Sequence, residues 1–173
     1  MKVVEADLSH IQYLSDFGRK SFIHAYQCTL PLEELNKYIS YAFSETTIHD
    51  EINSSKAMYF ICQDTQLTPC GYAKLIQSHP PKCINSDNAI ELQRLYVGSN
   101  SRGQGVGKIL ELYAESYAKR QNINYIWLRV WDGNTVAQDI YKKWEFEVVG
   151  DEPYKVGEDQ RTVLLMRKLL DKE

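Results

Sequence analysis

The segment Leu95-Tyr96-Val97-Gly98-Ser99-Asn100-Ser101-Arg102-Gly103-Gln104-Gly105-Val106-Gly107-Lys108 constrains this chain more than any other. It reads as an apolar strand, a polar turn, and alternating glycines that run directly into a helix. Glycine inside a helix costs about 0.5–1 kcal/mol relative to alanine, so repeated glycines at a helix start imply a need for bare backbone. Closely approaching N–H groups, aided by the helix dipole, hold an anion, and Arg102 and Lys108 bring charge to the same turn. The expected ligand is a phosphate or pyrophosphate. Spacing excludes two well-known phosphate loops. A Walker loop needs glycine where Arg102 stands and Ser or Thr where Ile109 stands. A G-x-G-x-x-G fingerprint fails at Lys108 in one register and at Leu110 in the other.

The flanking pattern alternates helix and strand. A short strand is expected around Val3 and Val4. Asp7 or Ser9 then caps a helix reaching about Phe22, with Ile11, Leu14, Phe17 and Phe22 on its buried face. Pro31 opens a second helix carrying Leu35, Tyr38, Ile39 and Ala42, and Thr46 to Ser55 forms a short third one. Ala57 to Gln63, Gly71 to Gln77 and Ala89 to Val97 read as strands, with a polar turn at Gln66 to Pro69 and a loop from Ser78 to Asn88. Val106 to Gln121 is the clearest helix, because Val106, Ile109, Leu110, Tyr113 and Tyr117 recur at helical spacing. Tyr125 to Trp131 is a strand and Thr135 to Trp144 a helix. Phe146 to Val149 and Thr162 to Met166 add two short strands. No repeat or low-complexity linker interrupts the chain, so one mixed α/β domain is expected.

Composition narrows the classes. With 43% hydrophobic residues, 173 residues can bury a substantial core, and a formal net charge of −3 argues against a nucleic-acid-binding face. No apolar run has the length of a signal peptide or membrane span, so no membrane association is expected. Cys28, Cys62, Cys70 and Cys83 form no C-x-x-C pair, and His10, His24, His49 and His79 show neither metal nor triad spacing. Cys62, in an apolar run, reads as a buried small hydrophobe. A reduced, cytoplasmic protein without a metal is the simplest expectation, and no nucleophile-elbow motif suggests serine catalysis.

Arg102-x-x-Gly105-x-Gly107 resembles the R/Q-x-x-G-x-G/A loop of the GNAT superfamily of N-acetyltransferases, and a second segment strengthens the likeness. Asn134-Thr135-Val136-Ala137-Gln138-Asp139-Ile140-Tyr141-Lys142-Lys143-Trp144-Glu145-Phe146 is similar to that family's N-x-x-A-x-x-h-Y-x-x-x-G-F pattern. Asn134 and Tyr141 lie two helical turns apart and share a face. The resemblance implies a single GNAT-like α/β domain over residues 1–173. Its central, mostly antiparallel twisted sheet would have about six to seven strands flanked by helices, splayed between the strands near 89–97 and 125–131. Acceptor-side helices would occupy about 7–55 and an acetyl-CoA-binding core about 89–146.

The resemblance also implies roles. Backbone amides of Arg102, Gly103, Gln104, Gly105, Val106, Gly107 and Lys108 would hold the pyrophosphate of acetyl-CoA. Leu95, Tyr96 and Val97, on a strand that the family usually bulges, would polarise the thioester carbonyl and pair with the pantetheine amides. Asn134 and Tyr141 would flank the pantetheine arm, Tyr141 would protonate the departing thiolate as general acid, and Lys143 would reach a coenzyme phosphate. The attacking amine must be neutral, yet an alkyl ammonium has a pKa of roughly 10, judged by lysine. Glu91 is the candidate base, with a solvated strand-end glutamate as the bland alternative. At Glu145 the family usually has glycine, so a different helix-end turn is expected.

Ile126-Trp127-Leu128-Arg129-Val130-Trp131, followed by Asn134 to Phe146, resembles a branch that includes bacterial acetyltransferases acting on spermidine and spermine. Phe22, Tyr26, Leu32-Glu33-Glu34-Leu35, Tyr38 and Phe43 fit the same branch. Glu33, Glu34, Glu45, Asp50 and Glu51 would attract a polycation or simply form solvated helix faces. Some protein-acetylating relatives carry a glutamate at the position of Arg129, which here is basic. The implied activity is direct transfer of acetyl from acetyl-CoA to a primary amine, a polyamine first and another small amine or a protein amine second. A non-catalytic acyl-CoA-binding regulatory module is the alternative of another class. The oligomeric expectation is monomer or homodimer.

Overall fold

A computed structural model describes residues 1–54, 57–156 and 159–170. Runs rich in β-branched and aromatic residues pair into one sheet: β1 (Lys2–Glu5), β2 (Ala57–Gln63), β3 (Pro69–Ile76), β4 (Ala89–Val97), β5 (Tyr125–Trp131), β6 (Glu147–Val156) and β7 (Asp159–Leu169). The strand order is β1-β2-β3-β4-β5-β7-β6, and every pairing is antiparallel except β4 with β5. This is the expected single α/β domain with a seven-stranded mixed sheet and flanking helices. The last two strands are much longer than the alternation of residues 146–149 and 162–166 suggested, and they form a continuous antiparallel ladder from Glu147↔Arg167 to Val156↔Asp159.

Helices cover both faces. α4 (Val106–Arg120) packs beneath β2, β3 and β4 through Val106, Leu110, Ala114 and Ala118, one stripe at i+4 spacing and essentially without exposure. The two alanines let the helix axis approach the sheet, while Ile109, Tyr113 and Tyr117 fill the stripe's edges. α5 (Thr135–Lys143) joins the same face, with Ala137, Tyr141 and Trp144 against this core.

α1 (Ile11–Tyr26), α2 (Leu32–Ala42) and α3 (Glu45–Asn53) cover the other face. Phe22, Leu35, Ile39 and Phe43 form one buried cluster there, and Leu14, Ile48, Tyr59 and Tyr72 another. Asp7 accepts from the Ser9 N–H, but what it caps is a short 3₁₀ turn, Leu8–His10, and the helix proper starts only at Ile11. Ser44, not a residue within the expected range, caps α3, and the expected end at Ser55 lies outside the described residues. Among the described residues no helix is long and apolar enough to cross a membrane.

Candidate functional site

The sheet opens in its middle. β4 and β5 pair only from Ala89↔Tyr125 to Glu91↔Trp127, and beyond Glu91 strand β4 bonds to β3 alone. Against β3, Lys74 faces Arg94 while the next residue, Leu75, faces Leu92, so Gln93 is the extra residue of a β-bulge. A bulge adds local twist and re-aims the strand, which accounts for the splay. The β5-facing edge of Leu95, Tyr96 and Val97 is thereby left without a strand partner. Half-buried N–H and C=O groups in that position favour an extended, amide-bearing ligand that completes the ladder.

The glycine segment begins where this edge ends. A 3₁₀ turn, Ser99–Ser101, leads to extended Arg102, and Gly103 and Gly105 then take φ of +75° and +83°. Only glycine adopts such angles without strain, and a Cβ at either position would meet nothing within 4 Å. α4 therefore starts after Gly105 without a side-chain cap, and its first N–H groups have no capping side chain. α3 and α5, by contrast, are capped by Ser44 and Asn134. Gly107 has a packing reason instead: a Cβ there would come within 3.2 Å of the Trp144 ring.

The side chains of this loop are less committed to an anion than their charges suggest. Lys108 donates to Glu111 at 2.7 Å and lies over the Trp144 ring, so its ammonium is already engaged. Arg102 is exposed, reaching 3.5 Å to His24, and Gln104 donates to the Asn100 carbonyl.

Across the opening, Asn134 accepts from the Ala137 N–H at 3.2 Å, which makes it the cap of α5. Tyr141, one face along, stacks edge-on with Trp144 and Phe146. Burial pushes its hydroxyl above the ordinary tyrosine range, with Tyr26 adding to the shift. The group thus keeps its proton throughout the neutral range. Lys143 is exposed on the same helix end. Glu145 itself takes φ +71°, and the expected different turn does not occur. Its N–H donates to the Lys142 carbonyl and that of Phe146 to the Tyr141 carbonyl, both at 3.0 Å. That pair of bonds and the Tyr141–Phe146 contact form a Schellman end, completed by glutamate in place of glycine.

Beside the opening lies a pocket of about 110 Å³. Phe22 and Tyr26 of α1, Tyr38 of α2, Tyr96, Trp131 and Tyr154 supply aromatic walls. Glu91, Arg94, Arg129 and Arg161 supply the charges. Glu91 is 4% exposed and both oxygens are engaged: Oε1 accepts from Arg129 and Oε2 from Ser78, each at 2.7 Å. Arg129 also donates to Glu152 at 2.5 Å, tying β5 to β6. None of Glu33, Glu34, Glu45, Asp50 and Glu51 lines this pocket. Lys37 pairs with Glu33 and Glu34, and Glu51 takes Lys74 at 2.5 Å.

Tyr154, Arg161 and Val163 come from strands that sequence periodicity underestimates, and Ser78 from a loop. The available signal was the apolar run Val163-Leu164-Leu165-Met166, which marks the centre of the last strand but not its ends. Trp127, on the same face of β5 as Arg129 and Trp131, is fully buried and packs beside Ile84 and Leu165. Among the described residues no group of three or more His, Cys, Asp or Glu side chains is placed to hold a metal ion.

The sequence model of the Acetyltransferase (GNAT) family matches residues 20–146. An uncharacterized N-acetyltransferase in the pepI 3' region of Lactobacillus delbrueckii subsp. lactis is 23% identical over 171 residues, 98% of each chain. The PaiA N-acetyltransferase of Thermoplasma acidophilum, solved in complex with coenzyme A, superposes with a TM-score of 0.74 at 21% identity. That match covers 98% of this chain and 99% of the other. The ribosomal-protein-S18-alanine N-acetyltransferase of Escherichia coli superposes with a TM-score of 0.69 at 13% identity, over 99% and 95% of the two chains. At these identities the structural matches speak for the fold.

Proposed function

This chain belongs to the GNAT family of acetyltransferases, and from that premise we propose that it acetylates the primary amine of a small molecule bound in the pocket beside the β4–β5 opening. It is an acyltransferase that uses acetyl-CoA. The observation that carries the site assignment is the continuity of three features along β4: its unpartnered edge, the open glycine cradle at its end, and an aromatic pocket lined by its Glu91, Arg94 and Tyr96.

In this reading Leu95, Tyr96 and Val97 present backbone groups to the pantetheine amides and the thioester carbonyl. Gly103, Gly105 and the first N–H groups of α4 receive the pyrophosphate. Acetyl-CoA supplies an acetyl group already activated as a thioester. Tyr141 holds a proton at its hydroxyl and donates it to the sulfur as the carbon–sulfur bond breaks. Glu91 faces the acceptor pocket, and Oε2, held by the rotatable Ser78 hydroxyl, is its oxygen open to a proton from the amine. The Asn134 side chain, as cap of α5, fixes the helix that carries Tyr141.

Two acceptor readings differ in charge. Likeness to the polyamine branch favours spermidine or spermine, whereas the arginines of the pocket favour an acceptor with less positive charge. Free-thiol release from acetyl-CoA against polyamines, small monoamines and short peptides separates them. Tight coenzyme binding with release from no amine would leave the binding-module reading in place. Tyr141→Phe keeps the ring contacts and removes the proton. A fall in kcat of about 100-fold with an unchanged coenzyme KM is expected, in the range of a general acid's contribution. An unchanged kcat across pH would remove Tyr141 from that role.

A further inference from the structure

The pocket carries its own cations. Arg94 and Arg129 line it beside one lining carboxylate, Glu91, and that carboxylate is already taken by Arg129 at 2.7 Å and by Ser78. Arg129 reaches on to Glu152 at 2.5 Å, with its guanidinium 4.6 Å from the centre of the Trp127 ring. The place where a cationic acceptor would be received, between two carboxylates and over an aromatic face, is therefore filled by the chain's own guanidinium.

Arg94 is more exposed to this imbalance. It is 7% exposed, lies 4.3 Å from the centre of the Phe43 ring, and donates to the Ala42 carbonyl at 3.1 Å. Its surroundings are Tyr72, Tyr38, Tyr96 and Tyr59, with no carboxylate in ion-pair reach among the described residues, and its Nη1 has no hydrogen-bond partner. A buried cation without a counter-anion raises the potential of the cavity beside it, and aromatic walls screen that potential weakly.

We propose that the acceptor is an amine that also carries an anionic group, a carboxylate in the simplest case, and that Arg129 sets this selection by holding Glu91 and Glu152 away from a second cation. The inference rests on the acetyltransferase reading above. The acceptor's anion supplies the counter-charge that Arg94 lacks. A polyamine brings further ammonium groups against Arg94 and Arg129 and is repelled, the negative half of specificity.

Three amines of matched length test it: 4-aminobutanoate, butylamine and 1,4-diaminobutane. In the wild-type enzyme kcat/KM falls in that order, by tenfold or more from first to last, with the difference in KM. Arg129→Gln frees both carboxylates and shrinks or inverts the ratio of 4-aminobutanoate to 1,4-diaminobutane by at least tenfold, while Arg129→Lys keeps the wild-type order. Calorimetric titration of the three amines into the coenzyme-free protein gives the same ranking without turnover. A wild-type preference for 1,4-diaminobutane, or a ratio unmoved by Arg129→Gln, overturns the proposal. Absence of thiol release with every amine defeats the acetyltransferase reading alone, since the calorimetric ranking still decides the charge selection.

Discussion

At residue 145 the chain pays a local conformational cost that its neighbours define. Glutamate at φ +71° sits in the left-handed region, which costs an L-residue about 1–2 kcal/mol, and it stays there because two capping bonds and the Tyr141–Phe146 contact require the turn. Its ion pair with Lys168 is long, at 3.8 Å, and the glutamate is mostly exposed, so it returns little. Glu145→Gly relieves the strain but loosens the unfolded chain by about 0.4–1 kcal/mol. The net expectation is a gain of about 0.5–1 kcal/mol, a rise in Tm of about 1–4 °C by calorimetry. A lower Tm would mean that the glutamate is held by contacts beyond the turn. The family likeness made glycine the expected residue, but periodicity could not reveal that the turn survives without it. That depends on tertiary contacts of Phe146, which is 3% exposed in the core.

At the scale of elements, α4 is joined to the sheet by charge as well as by its apolar stripe. Lys168 of β7 donates to Glu111 at 3.0 Å and to Glu115 at 2.7 Å, and Lys119 pairs with Glu115 at 3.1 Å. Burial alone would raise the Glu115 carboxyl, but the hydrogen bonds from Lys168 and Lys119 outweigh it and hold the group below the ordinary glutamate value. A carboxylate depressed in the folded state binds fewer protons than in the unfolded chain, so its stabilisation is complete above the ordinary value of 4.5 and drains as pH falls below it. Glu115→Gln is expected to cost on the order of 1 kcal/mol at pH 7, and the gap to wild type should narrow as pH falls below the ordinary glutamate value in denaturant titrations. A gap independent of pH would assign the loss to packing. The clasp was invisible in sequence because β7 read as a five-residue strand ending at Met166. The adjoining β6 runs on through Gly150 and Pro153, beyond the expected strand end at Val149; an edge strand tolerates proline because its N–H is not needed there.

For the molecule as a whole, coenzyme binding in the proposed slot between β4 and β5 must feed back on stability. Coenzyme A at 100 times its Kd should stabilise the folded state by about 2.7 kcal/mol, which for a domain of this size raises Tm by about 5–10 °C. Gly105→Val puts a β-branched side chain at φ +83° and into the open cradle, so the free protein should melt a few degrees lower and the coenzyme-dependent rise should largely disappear. A full rise retained in that variant would place the pyrophosphate elsewhere.

The glycine segment, the Asn134–Tyr141 spacing and the periodicity of Val106–Arg120 were legible in sequence because each depends on neighbours within a few residues: a turn's φ, a helix face, a cap. They sufficed for the family and the sheet's rough extent. The acceptor side is a different case. Its walls come from α1, α2, β4, β5, β6 and β7, and its charge depends on which carboxylate each arginine meets across the sheet. Ion pairing between residues 38 and 23 positions apart, as for Arg129 with Glu91 and Glu152, leaves no local trace. Of the acidic residues expected to attract a polycation, Glu33, Glu34 and Glu51 are paired with lysines, and none of the five lines the pocket, which carries arginines instead. Charge acts through space, so only the tertiary structure could decide it.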